Sequence, residues 1–119
     1  MIIKTTPNIA ALKLAKLALI EAERDAFRYA NVIAHGRTWQ ADKVSQDLLS
    51  DAINLASNGL PLPDVWRDAG NSDMSITSLA DLLTIAGAMA AQTRTAYANS
   101  WVRKAAVEAA TTEEEIEVV

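Results

Sequence analysis

The residues of this chain that could do chemistry are few and far apart. His35 is the single histidine, and it stands beside Gly36 with no neighbouring histidine or cysteine. A general base needs an oriented partner and a zinc site needs three or four ligands, so His35 alone completes neither. Histidine tolerates positive φ better than most residues, and glycine does so freely. The pair therefore predicts the tight turn of a β-hairpin.

A second group of oxygen-bearing side chains lies between two strand-like pieces. Asp68, Asn71 and Asp73 resemble part of a calcium loop, but the alternating ligands and the late glutamate of an EF-hand are missing. The same residue types are typical of a hydrated turn. The sequence has no Ser-His-Asp order, glycine-rich phosphate loop or cluster of metal ligands. We therefore predict a protein that is not an enzyme and that has no catalytic residue, metal or cofactor.

Composition limits the class of protein further. The 119 residues carry a net charge of −4, include no cysteine and are 50% hydrophobic. A chain of this length buries roughly two-thirds of its unfolded surface and normally forms one domain. Its negative charge disfavours nucleic acid as a partner, and no apolar run approaches the roughly 18 residues that span a bilayer. We expect a cytoplasmic protein with neither a nucleic-acid nor a membrane partner.

A long amphipathic helix is predicted from about Asn8 to Tyr29. Its apolar stripe repeats at spacings of three and four. The stripe consists of Leu12, Ala15, Leu19, Ala22, Ala26 and Tyr29. The same residues fit heptad positions a and d over nearly three heptads. Two alternatives stay open: the stripe packs inside the molecule, or it joins copies of the chain through Leu12 and Leu19.

The middle of the chain predicts two hairpins and a second helix. Strand-like pieces flank His35-Gly36 and, later, the turn-forming segment from Asp68 to Asp73. Asp42 is a good N-cap for a helix that stops at Asn58-Gly59.

The C-terminal part predicts a third helix and a short last one. Ser78 and Asp81 have the spacing of a capping box. Thr111 or Thr112 begins an acidic segment that is either a short helix or a docking tail for a basic partner. The fold class is therefore α+β and predominantly helical, with about three main helices, a short C-terminal helix and two short β-hairpins forming a small sheet. We predict a single domain over residues 1–119, in which 1–30 are the first helix and 31–119 a compact body.

Aromatic residues are the best candidates for binding a partner. The apolar stripe of the third helix runs through Leu79, Leu82, Leu83, Ala86, Met89, Ala90, Thr93, Tyr97 and Trp101. Tyr97 and Trp101 share one helix face, which is normally core. If they are exposed, they become anchors for another protein, as does Trp66, because large aromatics dominate binding energy in a partner's pocket.

Five segments together resemble a bacteriophage family of unknown function. They are Gly36 to Asp42 (GRTWQAD), Val65 to Asn71 (VWRDAGN), Ser78 to Leu83 (SLADLL), Ala96 to Lys104 (AYANSWVRK) and Ala109 to Thr112 (AATT). The resemblance covers nearly the whole chain from about Lys13. One departure is Gly70, where the family more often has aspartate.

This resemblance implies a role in tail biology. Members are encoded by tailed phages and prophages, often near tail-fibre genes, and are frequently labelled tail-fibre assembly proteins or chaperones. The expected partner is a tail-fibre or other tail protein, met in the host cytoplasm during infection. The alternative is a structural component of the tail, baseplate or fibre that stays in the virion. The family has no established catalytic residues to carry over.

Overall fold

The computed structural model describes residues 8–119, which contain four helices and four short strands. In chain order they are α1 (Ile9–Arg28), β1 (Val32–Ala34), β2 (Arg37–Trp39), α2 (Lys43–Ser57), β3 (Val65–Arg67), β4 (Asp73–Ser75), α3 (Leu79–Ala109) and α4 (Glu113–Glu117). The predicted fold class, α+β and predominantly helical, is confirmed. Each hairpin is a separate two-stranded antiparallel sheet, which differs from the one small sheet that the sequence predicts.

The first helix begins where its sequence predicts. The Asn8 carboxamide oxygen accepts from the Ala11 amide at 3.1 Å, so Asn8 caps the free amides of the first turn of α1. The helix contains no proline or glycine and ends at Arg28, just before the first hairpin.

The first hairpin has the predicted two-residue turn. His35 and Gly36 both adopt positive φ, 56° and 68°, and Val32 pairs with Trp39. This turn matches the right-handed twist of the strands. The Trp39 indole Nε1 donates to the Ala34 carbonyl oxygen at 2.8 Å, so the ring is buried without leaving its polar group unpaired.

The second helix has a cap at each end. Asp42 occupies the N-cap position, where its carboxylate accepts from the Ser45 hydroxyl rather than from a backbone amide. The helix ends at Ser57, and Gly59 follows with a φ of 86°, which is favourable for glycine.

Asp68 organises the turn of the second hairpin. Its Oδ1 accepts from the amides of Gly70 at 2.9 Å and Ser72 at 3.0 Å, and its Oδ2 accepts from Arg37 Nη1 at 3.1 Å. The turn predicted from side-chain oxygens bonding the local backbone is therefore present. The ion pair with Arg37 ties the second hairpin to the first.

Replacing Asp68 with asparagine should make stability depend less on pH. The Ser72 amide, followed by Arg37 and the Gly70 amide, holds the pKa of Asp68 below its ordinary value of 3.8. A depressed folded-state pKa stabilises the protein above the unfolded pKa, and this stabilisation is lost as pH falls through the folded value. Asp68→Asn should therefore melt lower than the parent at pH 7, and the gap should narrow below about pH 4.

Thermal unfolding of the parent and of Asp68→Asn at several pH values measures this gap. Asp51→Asn, on an exposed position of α2, is the matched control and should follow the parent. If the difference in melting temperature between Asp68→Asn and the parent stays constant from pH 7 to pH 3, the Asp68 carboxylate is not the source of the pH dependence.

The two C-terminal helices are capped by side chains. Asp81 Oδ2 accepts from the Thr77 amide at 2.9 Å and the Ser78 amide at 3.3 Å, as expected for the predicted cap of α3. For α4 the sequence left Thr111 and Thr112 as alternative caps. The Glu115 amide donates to the Thr112 hydroxyl at 3.2 Å, so Thr112 is the N-cap.

The chain folds into two compact units. One contains residues 8–25 and 96–119, and the other is Ala26–Thr95. The core of Ala26–Thr95 combines Trp39 with residues from both hairpins, α2 and the first half of α3. Its buried members are Val32, Ala34, Trp39, Ala41, Leu49, Ile76, Leu82, Ile85 and Met89.

The other unit is built from pieces of three helices. Its buried residues are Ile20, Ala96, Ser100, Val107, Ala110 and Ile116. Most of them are small side chains, so each buries little apolar area. We call residues 8–25 and 96–119 the helical unit.

Candidate partner-binding surfaces

Cross-helix polar contacts hold the helical unit together. Lys104 Nζ bonds Glu21 Oε1 at 2.8 Å, and this contact holds the pKa of Glu21 below its ordinary range. Near the other end of the pair, Lys13 Nζ donates to the Glu108 carbonyl oxygen at 2.8 Å. Because low residue numbers of α1 meet high residue numbers of α3, the two helices run antiparallel.

An aromatic residue dominates the outer face of α3. Trp101 is 64% exposed and its neighbour Val102 is 72% exposed, with Ala98 and Ala105 exposed beside them. We call these four residues the Trp101 patch. An exposed tryptophan in an apolar surround is informative, since large apolar side chains are usually covered.

Tyr97 positions the Trp101 ring. The two rings lie 6.1 Å apart at a tilt of 54°. The Arg24 guanidinium lies 4.7 Å from the centre of the Tyr97 ring and pairs with Asp25 at 3.0 Å. Tyr97 is half-buried, so it supports the indole from the inside while Trp101 faces solvent. Such pre-organisation lowers the entropic cost of binding.

The predicted inward stripe of α3 is wrong at Leu83, which is 48% exposed, and beyond Met89. The buried line instead runs through Ala96, Ser100 and Val107. Three steps of four residues separate Met89 from Trp101, and each step advances the side chain about 40° beyond a full turn. Trp101 therefore lies about 120° around the helix from Met89, which takes it out of the core.

The stripe predicted on α1 faces solvent. Ala15, Ala22 and Ala26 are exposed and Leu19 is 47% exposed, whereas the adjacent Ile20 is fully buried. Leu12, at the edge of the stripe, is half-buried. Of the two alternatives for this stripe, packing inside the molecule is therefore wrong for its central residues.

The reason is the way α1 contacts its neighbours. The helix lies on them through Ile20 and through two lysines whose side chains reach backbone oxygens. Lys13 contacts Glu108 of α3, and Lys16 Nζ donates to the Glu117 oxygen of α4 at 3.3 Å. The aliphatic part of a lysine side chain packs along apolar surface while its ammonium group reaches a polar partner. The face of α1 that carries Lys13 and Lys16 therefore faces α3 and α4, although its sequence is polar.

Trp66 lies in the other unit and has a different role. It is half-buried and packs against the core of Ala26–Thr95. It also lines a cleft of about 480 Å³, whose walls include Trp39, Leu48 and the ion pair between Arg67 and Asp73. Among the proposed anchors, the structure thus groups Tyr97 with Trp101 and Leu12 with Leu19, while Trp66 belongs to a separate surface.

His35 has a structural contact in its turn. The carbonyl oxygen of Asp81 can only accept, so His35 Nε2 carries the proton of their 2.9 Å bond. The ring thereby links the first hairpin to the start of α3. Within residues 8–119, no cluster of three or more histidine, cysteine, aspartate or glutamate side chains has the arrangement of a metal site.

Sequence reasoning missed Val102 and the cleft beside Trp66. Val102 follows Trp101 directly, so a helical wheel centred on Ala96, Ser100 and Val107 would have placed both on the outer face. The cleft has no local signal, because its walls come from both hairpins, α2 and α3.

The geometry defines a small helical α+β protein whose most unusual surfaces are apolar and exposed. Residues 11–119 match the family model described as a domain of unknown function, DUF4376, and the chain belongs to that family. No curated protein and no solved structure matches the chain. In the part of the chain from residue 8 onward, none of the helices has the length and apolar character required to cross a membrane.

Proposed function

We propose that this protein is a bacteriophage tail-fibre or tail assembly factor that acts as a chaperone or adaptor through protein–protein contacts and not through catalysis. The observation that carries the contact-based role is the Trp101 patch, with its indole 64% exposed. The tail assignment itself rests on the resemblance of five sequence segments to a phage family.

The patch has the properties of a binding anchor. Trp101 offers a large rigid surface that costs little side-chain entropy to immobilise, and Val102 and the flanking alanines add apolar area without charge. A fibre chain that has not yet trimerised exposes apolar segments, which are the natural complement of such a patch. The resemblance to the phage family implies that this partner is a tail-fibre or other tail protein in the host cytoplasm.

A retained structural component of the tail, baseplate or fibre is the second candidate. It is favoured by the apolar stripe on α1, because a component of a symmetric particle needs contacts with copies of itself as well as with its neighbours.

Mass spectrometry of purified particles beside the infected-cell lysate distinguishes the two. An assembly factor should be abundant in the lysate and absent from mature particles. A fixed ratio to the major tail proteins in purified particles would instead identify a structural component and contradict the chaperone role.

A further inference from the structure

Among the described residues 8–119, the outer face of α1 forms a continuous uncharged surface that is largely exposed. Its central residues are Ala15, Ala18, Leu19 and Ala22, with Ala11 and the half-buried Leu12 at its N-terminal end. We call these six residues the α1 seam. Its central residues lie about 100° to 160° around the helix from Ile20, which is fully buried, so the helical unit packs on a different face of α1.

We propose that the α1 seam binds the same seam of a second copy of this chain, in an antiparallel pair. The first reason is spacing. Leu12, Ala15, Leu19 and Ala22 occupy heptad positions a, d, a and d, the pattern by which one helix packs into another along a narrow line. Alanines at half of these positions let the two backbones approach closely, while Leu19 fills the space opposite an alanine of the other copy.

The second reason is charge, and it selects the direction of the pair. Lys16 and Glu23 occupy the e positions that flank the seam. In a parallel pair, Lys16 would lie opposite the partner's Ala11 and Glu23 opposite the partner's Ala18, so no ion pair would form. In an antiparallel pair, e positions lie opposite e positions and opposite charges can meet.

Charge also selects the register. When Leu19 lies opposite the partner's Ala22, Lys16 comes opposite the partner's Glu23, and two-fold symmetry forms this pair twice. In this register Leu12 and Ala15 lie opposite Tyr29 and Ala26 of the other copy, the last two residues of the predicted stripe. Sliding the helices by one heptad, so that Leu19 lies opposite the partner's Ala15, would instead bring Lys16 against the partner's Lys16. Both side chains already have a contact within the chain, Lys16 with Glu117 and Glu23 with Arg103. The side chain of Glu23 remains 49% exposed, so it has room for a second cation.

Sedimentation of the full chain tests whether the pair exists. The mass should rise from 12.8 kDa towards twice that value between about 1 and 200 µM, the range in which small interfaces associate. Leu19→Asp should weaken association at least about 10-fold, because it places a charge at the centre of the seam. Since Leu19 is exposed in the single chain, this variant should keep its helix content and melting temperature.

Leu14→Asp is the matched control. Leu14 is on the same helix and is 69% exposed, but it occupies heptad position c, outside the seam. It should associate like the parent. A chain that stays monomeric over the whole concentration range, or a dimer that Leu19→Asp leaves intact, would overturn the proposal.

Single cysteines test the direction and register, since the chain has no cysteine of its own. In the proposed pair, Ala22→Cys lies about 5 Å along the axis from its copy, whereas Ala15→Cys lies about 16 Å from its copy. A short bifunctional maleimide should therefore cross-link Ala22→Cys and not Ala15→Cys. Cross-linking of both variants would indicate a parallel pair, and cross-linking of Ala15→Cys alone would indicate the shifted register. Either result overturns the arrangement, as does the absence of cross-linking in both variants. These outcomes are independent of binding to a tail protein.

Discussion

Trp39→Ala should lower the free energy of unfolding by about 3 to 5 kcal/mol, which is the usual cost of deleting a buried tryptophan. The ring is 1% exposed and lies in the core of Ala26–Thr95, beside Leu49, Leu82 and Ile85. The substitution also removes the hydrogen bond from the indole to the Ala34 carbonyl. Because the whole stability of a small domain is commonly about 5 to 15 kcal/mol, the variant should be partly unfolded at elevated temperature.

Urea unfolding followed by circular dichroism measures this loss. Trp66→Ala is the matched control, because Trp66 packs against the same core but is only half-buried. It should cost clearly less than Trp39→Ala. Equal losses for the two variants would mean that burial of the ring is not what makes Trp39 important.

If the proposed tail-protein partner binds the Trp101 patch, Trp101→Ala should weaken that binding by about 30-fold or more, which corresponds to an anchor worth about 2 kcal/mol. The free energy of unfolding should change by no more than about 0.5 kcal/mol, because the indole is already 64% exposed in the isolated chain. The combination of lost binding and kept stability separates an anchor from a core residue.

Isothermal titration of the purified chain with a candidate tail-fibre protein provides the affinity. Leu83→Ala is the matched control, since Leu83 is an exposed apolar residue of the same helix, 48% exposed and distant in sequence from the patch. It should bind like the parent. If Trp101→Ala binds with unchanged affinity, the Trp101 patch is not part of the binding surface. If the variant loses much of its free energy of unfolding, Trp101 is a core residue and not an anchor.

Most of the local structure could be predicted because its signals are local. The His35-Gly36 turn follows from two residues that accept positive φ, and the cap of α3 follows from the spacing of Ser78 and Asp81. The second hairpin was also predictable, although its last strand begins at Asp73, one residue earlier than the pattern suggested. These features depend on contacts between residues a few positions apart, which the sequence displays directly.

The candidate surfaces could be predicted only as sets of alternatives. The sequence identified Leu19 and Trp101 as apolar residues on regular helix faces, and each was compatible with core or with interface. Apolar periodicity reports that a face is apolar but not which neighbour covers it. The same limit explains why Trp66, Tyr97 and Trp101 were grouped together, although Trp66 packs with a different unit.

The amino-acid sequence by itself determined the four helices, the two hairpins and their caps, because turn chemistry and hydrogen-bonding side chains act within one or two turns of backbone. Tertiary packing determined which faces of α1 and α3 point inward. Alanines lie on several sides of both helices, so periodicity alone distinguished poorly between competing faces. Long-range contacts, such as that between Lys104 and Glu21, decide which face points inward. With these contacts formed, Ile20 is buried in the helical unit, and Leu19 and Trp101 are exposed to solvent.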